Sequence, residues 1–237
     1  MTVRSTTNHS MAWALLGLLA AALAVGGCKA AGPATPAATP AAPAVSTMDT
    51  GRDLFNGKDL AGWKVSDFGG QGKVAVKDGQ IVMEIGQGDL TGITWAGGPL
   101  PKMNYEATLE AMRLDGGDFF CGFTFPVRES ACSLICGGWG GTLVGISSID
   151  GYDASDNETT KFMNFASNRW YRIRVRVTEK KIEAWIDEEQ FVDLEPGDRK
   201  IDTRIEVDDS KPFGVAAYRT KSALRNIRVR KLSAEDL

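Results

Sequence analysis

The chain has 237 residues, 43% of them hydrophobic and 24% charged, which is enough apolar material for a buried core and excludes a disordered chain. Lys and Arg number 27 against 30 Asp and Glu, so a net charge of −3 gives no basic surplus for nucleic acid. His9 is the single histidine, so a chain cleaved beyond it has no imidazole. Ser-His-Asp triads, Cys-His dyads and His-ligated zinc are then excluded, and carboxylates, Arg, Lys, Tyr and thiols remain.

Residues 1–28 begin with a polar stretch holding Arg4, continue through the apolar run Ala12 to Val25, and end in Val25-Gly26-Gly27-Cys28. This order predicts an export signal. Fourteen helical residues reach only about 21 Å, short of the roughly 30 Å hydrocarbon core, which disfavours a spanning helix. Small residues before a cysteine resemble a bacterial lipobox, which implies acylation of Cys28 and a lipid-anchored protein of the cell envelope; an ordinary signal peptide is the other reading. Residues 29–50 carry eight Ala with Pro33, Pro36, Pro40 and Pro43 and show no apolar period, so they read as a tether. The folded domain is expected over residues 51–237.

Within that domain the dominant period is two, broken by frequent turn residues. Val74-Ala75-Val76, Asp78-Gly79 and Gln80 to Ile85 predict a hairpin, because Asp-Gly supplies the positive φ of a tight primed turn. Tyr105, Ala107, Leu109 and Ala111 alternate with polar neighbours, giving a half-buried strand. A turn at Arg128-Glu129 sets Cys121 opposite Cys136 and puts Phe119, Cys121, Phe123 and Phe125 on one face. A thiol-lined core and a disulfide are both compatible with that register, whereas a nucleophilic cysteine has no neighbouring base.

The loop IDGYDASDNE crowds Asp150, Asp153, Asp156 and Glu158 around Tyr152. Calcium is one way to neutralise it and solvation is another; the spacing is not that of a helix-loop-helix calcium site. WYRIRVRV places Tyr171, Ile173, Val175 and Val177 on one face and Arg172, Arg174 and Arg176 on the other, with cross-strand carboxylates as expected partners. A turn at Glu179-Lys180 leads to Ile182 to Ile186, and the alternation there reads Trp170 and Trp185 as core residues. Phe213 to Tyr218 and Leu224 to Leu232 close the count at about a dozen strands. So many short strands favour a two-sheet sandwich.

LFNGKDLAGWK from Leu54 to Lys64, the KDGQI turn, NRWYRIRVRV and the closing LRNIRVRKL occur in the order of one family. The chain resembles the 3-keto-disaccharide hydrolase domain family, and the likeness spans nearly all of residues 52–234. The resemblance implies an all-β, concanavalin A-like jelly-roll β-sandwich of two antiparallel sheets. It also implies a carbohydrate partner and cleavage of glycosides oxidised at the sugar's 3-position. Two stretches depart from the family pattern. Where many relatives carry an Asn-Ser-Gly turn, this chain has Gly116-Gly117-Asp118-Phe119; where many carry a Gln and a His, it has Val215-Ala216-Ala217-Tyr218-Arg219.

Glu106 and Glu110 share the polar face of one predicted strand, with α-carbons about 13 Å apart. Curvature that brings the carboxyls within the roughly 5–9 Å of a glycosidase pair would make them acid and base or nucleophile, the catalytic candidates. The spacing resembles the Glu-x-Asp-x-Glu strand of family-16 glucanases, with Thr108 in place of Asp; a solvated strand face is the alternative. Trp95 and Trp139, in TWAGG and GGWGG, are expected to stack on a sugar, a core tryptophan being the other reading, with Asp118, Arg113 and Tyr152 as further binding residues; Arg113 needs a bulge to join the glutamates. No cofactor is expected apart from the calcium option at Asp150, Asp153 and Asp156. Two functions follow: an exported hydrolase of 3-keto-glycosides working by carboxylate acid/base chemistry, or a non-catalytic carbohydrate-binding or cell-surface module.

Overall fold

Alternating strands with one apolar face must bury that face against another sheet, and in the computed structural model they do so. The structure describes residues 51–237; the export signal, Cys28 and the tether expected from the sequence lie outside the described residues. Among the described residues no helix is long and apolar enough to cross a membrane.

Among the described residues fifteen strands form two antiparallel sheets in a jelly-roll sandwich. Sheet 1 runs β13 (Glu189–Leu194), β12 (Ile182–Ile186), β11 (Trp170–Val177), β6 (Tyr105–Gly116), β15 (Thr220–Lys231), β4 (Gln80–Met83) and β3 (Val74–Lys77), and β1 (Arg52–Asp53) also pairs with β15. Sheet 2 runs β10 (Lys161–Phe162), β9 (Leu143–Ser147), β8 (Ser130–Gly137), β7 (Cys121–Val127), β14 (Gly214–Tyr218), β5 (Leu90–Trp95) and β2 (Trp63–Val65).

The predicted hairpins form in register. Asp78 and Gly79 take φ of 51° and 75° between β3 and β4, the left-handed values a primed turn requires. β7 and β8 turn at Arg128-Glu129, and Cys121 faces Cys136. Between the sheets, Leu109, Ile173 and Val175 meet Phe123, Leu134, Ile146 and Val215, all at most 1% exposed. Each such side chain contributes about 1.5–3 kcal/mol on burial.

The two outer faces differ. On sheet 1, β6 lies between β11 and β15, so three cross-strand rows form: Arg176, Glu106 and Arg230; Arg174, Thr108 and Arg228; Arg172, Glu110 and Arg225. Trp185 and Trp170, read from the sequence as core, face outward here. Their ring faces are covered by Arg174 at 3.8 Å and Arg225 at 4.1 Å, so guanidinium stacking rather than core packing shields them. On sheet 2 the outer face is itself buried, because Phe119, Ala154, Val207 and Phe68 from connecting segments cover Leu90, Ile135 and Ala216 in a second apolar cluster.

Candidate functional site

That covered face of sheet 2 holds a cavity of about 440 Å³, a volume typical of small-ligand sites. Leu90, Ile135, Val207 and Phe119 give it apolar walls, and three carboxylates line it: Asp89, Asp118 and Glu206.

Asp118 stands in the Gly-Gly-Asp-Phe turn after β6. Its Oδ1 accepts the Phe119 N–H at 2.7 Å and its Oδ2 accepts the Gly140 N–H at 3.2 Å, while its own N–H donates to Thr220 Oγ1 at 3.1 Å. Among the described residues it has no ion-pair partner, unlike the other two. Asp89 accepts Arg219 Nε at 2.7 Å and the Tyr218 hydroxyl at 3.2 Å, and the Arg219 hydrogen bond holds its carboxyl below the usual range. Glu206 takes a two-pronged guanidinium from Arg204, at 2.8 and 3.2 Å, which lowers its carboxyl too.

Tyr218 lines the same wall and stacks on Phe119 with ring centroids 5.7 Å apart. Desolvation, and after it the hydrogen bond to Asp89, push its phenol up, so at neutral pH it is a hydrogen-bond donor. The Ser147 hydroxyl, which also lines the cavity, is buried and has no hydrogen-bond partner among the described residues. Trp139 projects from the turn Gly138–Gly141 with φ of 48° and stays 45% exposed while lining the cavity. An indole held there on glycine hinges offers a flat apolar face to a ligand.

Arg113 sets these walls. It is 6% exposed and points between the sheets. Its Nη2 donates to the carbonyls of Asp118 at 3.1 Å and Gly141 at 3.0 Å, and its Nη1 to that of Phe165 at 3.4 Å. A Cβ on Gly137 would lie 2.5 Å from that Nη2, so the glycine there makes room for the guanidinium.

The structure thus brings Asp118 and Trp139 together at one cavity, with Arg113 behind them, where the sequence reading had Arg113 touching a ligand. The remaining expectations separate. Glu106, 7% exposed, accepts Arg174 at 3.1 Å, Arg176 at 3.3 Å and Arg230 at 3.1 Å; Glu110 accepts Arg225 at 2.7 Å and Asn226 at 2.8 Å. Both sit on sheet 1, and neither lines the cavity. Burial raises the Glu110 carboxyl, but the hydrogen bonds from Asn226 and Arg225 outweigh it and leave the group below its usual range, the wrong direction for a proton donor.

Trp95 is 8% exposed, packs edge to face on Trp63 at 5.2 Å and donates to Gly98 O, so it is a core indole. Tyr152 is 58% exposed and is not among the residues lining this cavity. In the acidic loop, Asp153 pairs with Arg204 and Asp150 accepts the Lys200 N–H at 2.8 Å, so neutralisation comes from arginine and backbone rather than a calcium cage. Asp156 does not join them: among the described residues no three carboxylate, thiol or imidazole groups converge for a metal.

Sequence reasoning missed Asp89, Ser147, Arg204, Glu206 and Tyr218 as a group. The available signal was the departure from family pattern, since both departing stretches, around Asp118-Phe119 and Tyr218-Arg219, lie at this cavity.

Fold and site define a jelly-roll sandwich with a ligand cavity on the outer face of one sheet, lined by carboxylates, an indole and a phenol. A family model matches residues 50–230, and the chain belongs to that family, the 3-keto-alpha-glucoside-1,2-lyase-like domains. Among curated proteins none matches the sequence. Solved structures share the fold at low identity. One, from a study of endo-acting O-glycanases of the human gut microbiota, is 14% identical with a TM-score of 0.51, covering 77% of this chain and 98% of that one. A laminarinase from Flavobacterium sp. UMI-01 is 12% identical with a TM-score of 0.50, covering 76% and 98%. A carbohydrate esterase of the Shiga toxin-encoding bacteriophage phi24B is 11% identical with a TM-score of 0.50, covering 77% and 100%. Glycanase, laminarinase and esterase on one fold leave the chemistry to the site.

Proposed function

We propose that the domain takes a 3-keto-glycoside into the sheet 2 cavity and cleaves it by elimination, with Asp118 as the base. The observation that carries this reading is that, among the described residues, Asp118 alone of the three carboxylates lining the cavity stands outside an ion pair, beside an exposed indole. A pair of working carboxyls, as glycoside hydrolysis needs, is not supported by a cavity in which Asp89 and Glu206 are held by guanidinium groups.

A ketone at C3 acidifies the neighbouring C2–H. Asp118 removes that proton, the electron pair forms the enolate, and the Tyr218 hydroxyl, turning its one proton from Asp89 to the oxygen at C3, donates there as charge builds. The enolate then re-forms the ketone with a C1–C2 double bond, and the C1–O bond breaks; the departing oxygen takes up a proton. Trp139 stacks on the ring and orients C2 toward Asp118.

The test is turnover of 4-nitrophenyl 3-keto-α-D-glucopyranoside, read as released nitrophenolate. Asp118→Asn is expected to lower the rate at least about 10²-fold with little change in binding, the usual scale for a lost general base. Unchanged turnover in that variant would remove Asp118 from the chemistry. The second reading, a non-catalytic carbohydrate-binding module, is favoured by the same two ion pairs; it predicts binding of the probe by the wild type with no nitrophenolate released.

Export with acylation at Cys28 is part of the proposal, supported by the apolar run and the Val-Gly-Gly-Cys ending. Labelled palmitate is expected in the wild type and absent from Cys28→Ala.

A further inference from the structure

Cys121 and Cys136 lie directly opposite across the β7–β8 hairpin, both with no exposed surface. Opposed residues of an antiparallel pair have α-carbons about 4.5–5.5 Å apart and side chains on one face, inside the roughly 4.4–6.8 Å window of a disulfide. Cys132 is opposed to Phe125 instead, so of the three possible pairings only Cys121 with Cys136 closes without moving the backbone. All three are free thiols in the structure. The position of the pair matters: Cys121 follows the turn that carries Asp118, and Cys136 precedes the turn that carries Trp139.

We infer that Cys121 and Cys136 are a disulfide site, closed as the chain folds in the presence of a low-molecular-weight disulfide, and that the bond ties together the two loops that hold Asp118 and Trp139. One thiol loses its proton, and its thiolate attacks a sulfur of the oxidant, expelling one thiolate and leaving a mixed disulfide. The second cysteine, deprotonated in turn, attacks the first cysteine's sulfur and expels the other. Two cysteine thiols are oxidised, and one small disulfide is reduced to two thiols.

Timing follows from burial. Burial, and next the thiol of Cys136, push Cys121 well above the ordinary thiol range, and burial pushes Cys132 up. Cys121 therefore offers almost no thiolate in the folded chain, and neither sulfur of the pair is exposed to an oxidant, whereas the unfolded hairpin reacts freely. The site rests on the strand register alone; only the link to ligand handling rests on the roles proposed for Asp118 and Trp139.

The full chain, denatured in reductant, is refolded with reduced and oxidised glutathione, quenched in acid, alkylated and digested. The expected result is a Cys121–Cys136 peptide pair about 2 Da lighter than its reduced form, with Cys132 alkylated. Tm is expected to rise by roughly 5–10 °C over protein refolded in reductant, from the loop the bond closes. Cys132→Ser keeps that increment and loses it on reduction, so the comparison holds even where Cys121→Ser fails to fold. Alkylated Cys121 and Cys136, or a bridge that includes Cys132, would overturn the inference. The mapping needs no sugar, so it is independent of whether the elimination reading survives.

Discussion

Arg113 carries a full charge at 6% exposure with carbonyl oxygens, not carboxylates, as its partners. Desolvation lowers its pKa, yet the planar fork reaches three separate segments at once, which a point-charged ammonium cannot do. Arg113→Met is expected to cost about 2–4 kcal/mol, from carbonyls left without donors, and to weaken probe binding; Arg113→Lys should lie between. Denaturation curves and probe titrations that match the wild type would remove it as a positioning residue. Glu110 gives a second expectation. Its folded carboxyl is held below the unfolded value of roughly 4.3, so its stabilising effect is present above that pH and is lost as the pH falls through the folded value. Glu110→Gln should therefore cost about 1 kcal/mol at pH 7 and progressively less as the pH falls through the folded value in urea titrations, while probe turnover is unchanged.

At the level of strands, what was legible in the sequence follows from which faces are wet. Sheet 1 has a charged outer face, so β6, β11 and β15 alternate plainly, and the Arg rows with their carboxylate partners could be anticipated. The same pattern put Glu106 and Glu110 forward as a pair; in the structure arginines of the two neighbouring strands hold both, an arrangement that looks the same in sequence as a catalytic pair. β7, β8 and β14 are buried on both faces over nearly their whole length, since loops cover sheet 2, so hydroxyl and small residues such as Thr124, Ser133 and Ala216 gave no outward polar signal. The cavity draws on segments far apart in the chain, from Asp89 to Tyr218, and no spacing rule gathers them. The turn after β8 was legible as glycine-rich, and its reason is mechanical. Gly137, at φ of 81°, would place a Cβ against the pinned Arg113 Nη2, whereas Gly57, at φ of 73°, has nothing near it. Gly57→Ala should cost only the left-handed strain of about 1–2 kcal/mol, and Gly137→Ala should cost more and also loosen Trp139. Equal melting losses in the two variants, with Trp139 fluorescence unchanged, would contradict the clamp.

Across the whole molecule, the two sheets divide the work: sheet 1 presents a paired ionic surface and sheet 2 a covered face with the cavity. The described chain enters at β1, where Arg52 and Asp53 pair with Val229 and Arg228 of β15, on the sheet that does not hold the cavity. Among the described residues, cavity and core are built from residues after 53, and the Ala/Pro composition of residues 29–50 shows no periodic apolar face in the sequence. A chain cut to residues 51–237 is therefore expected to melt within about 2 °C of the full chain and to bind the 3-keto-glycoside probe with the same affinity. The full chain in a bacterial host is expected to partition with membranes through Cys28, and the cut chain to remain soluble. Loss of probe affinity on truncation would show that the segment before Gly51 completes the site, and the division between a tether and a self-sufficient sandwich would fall with it.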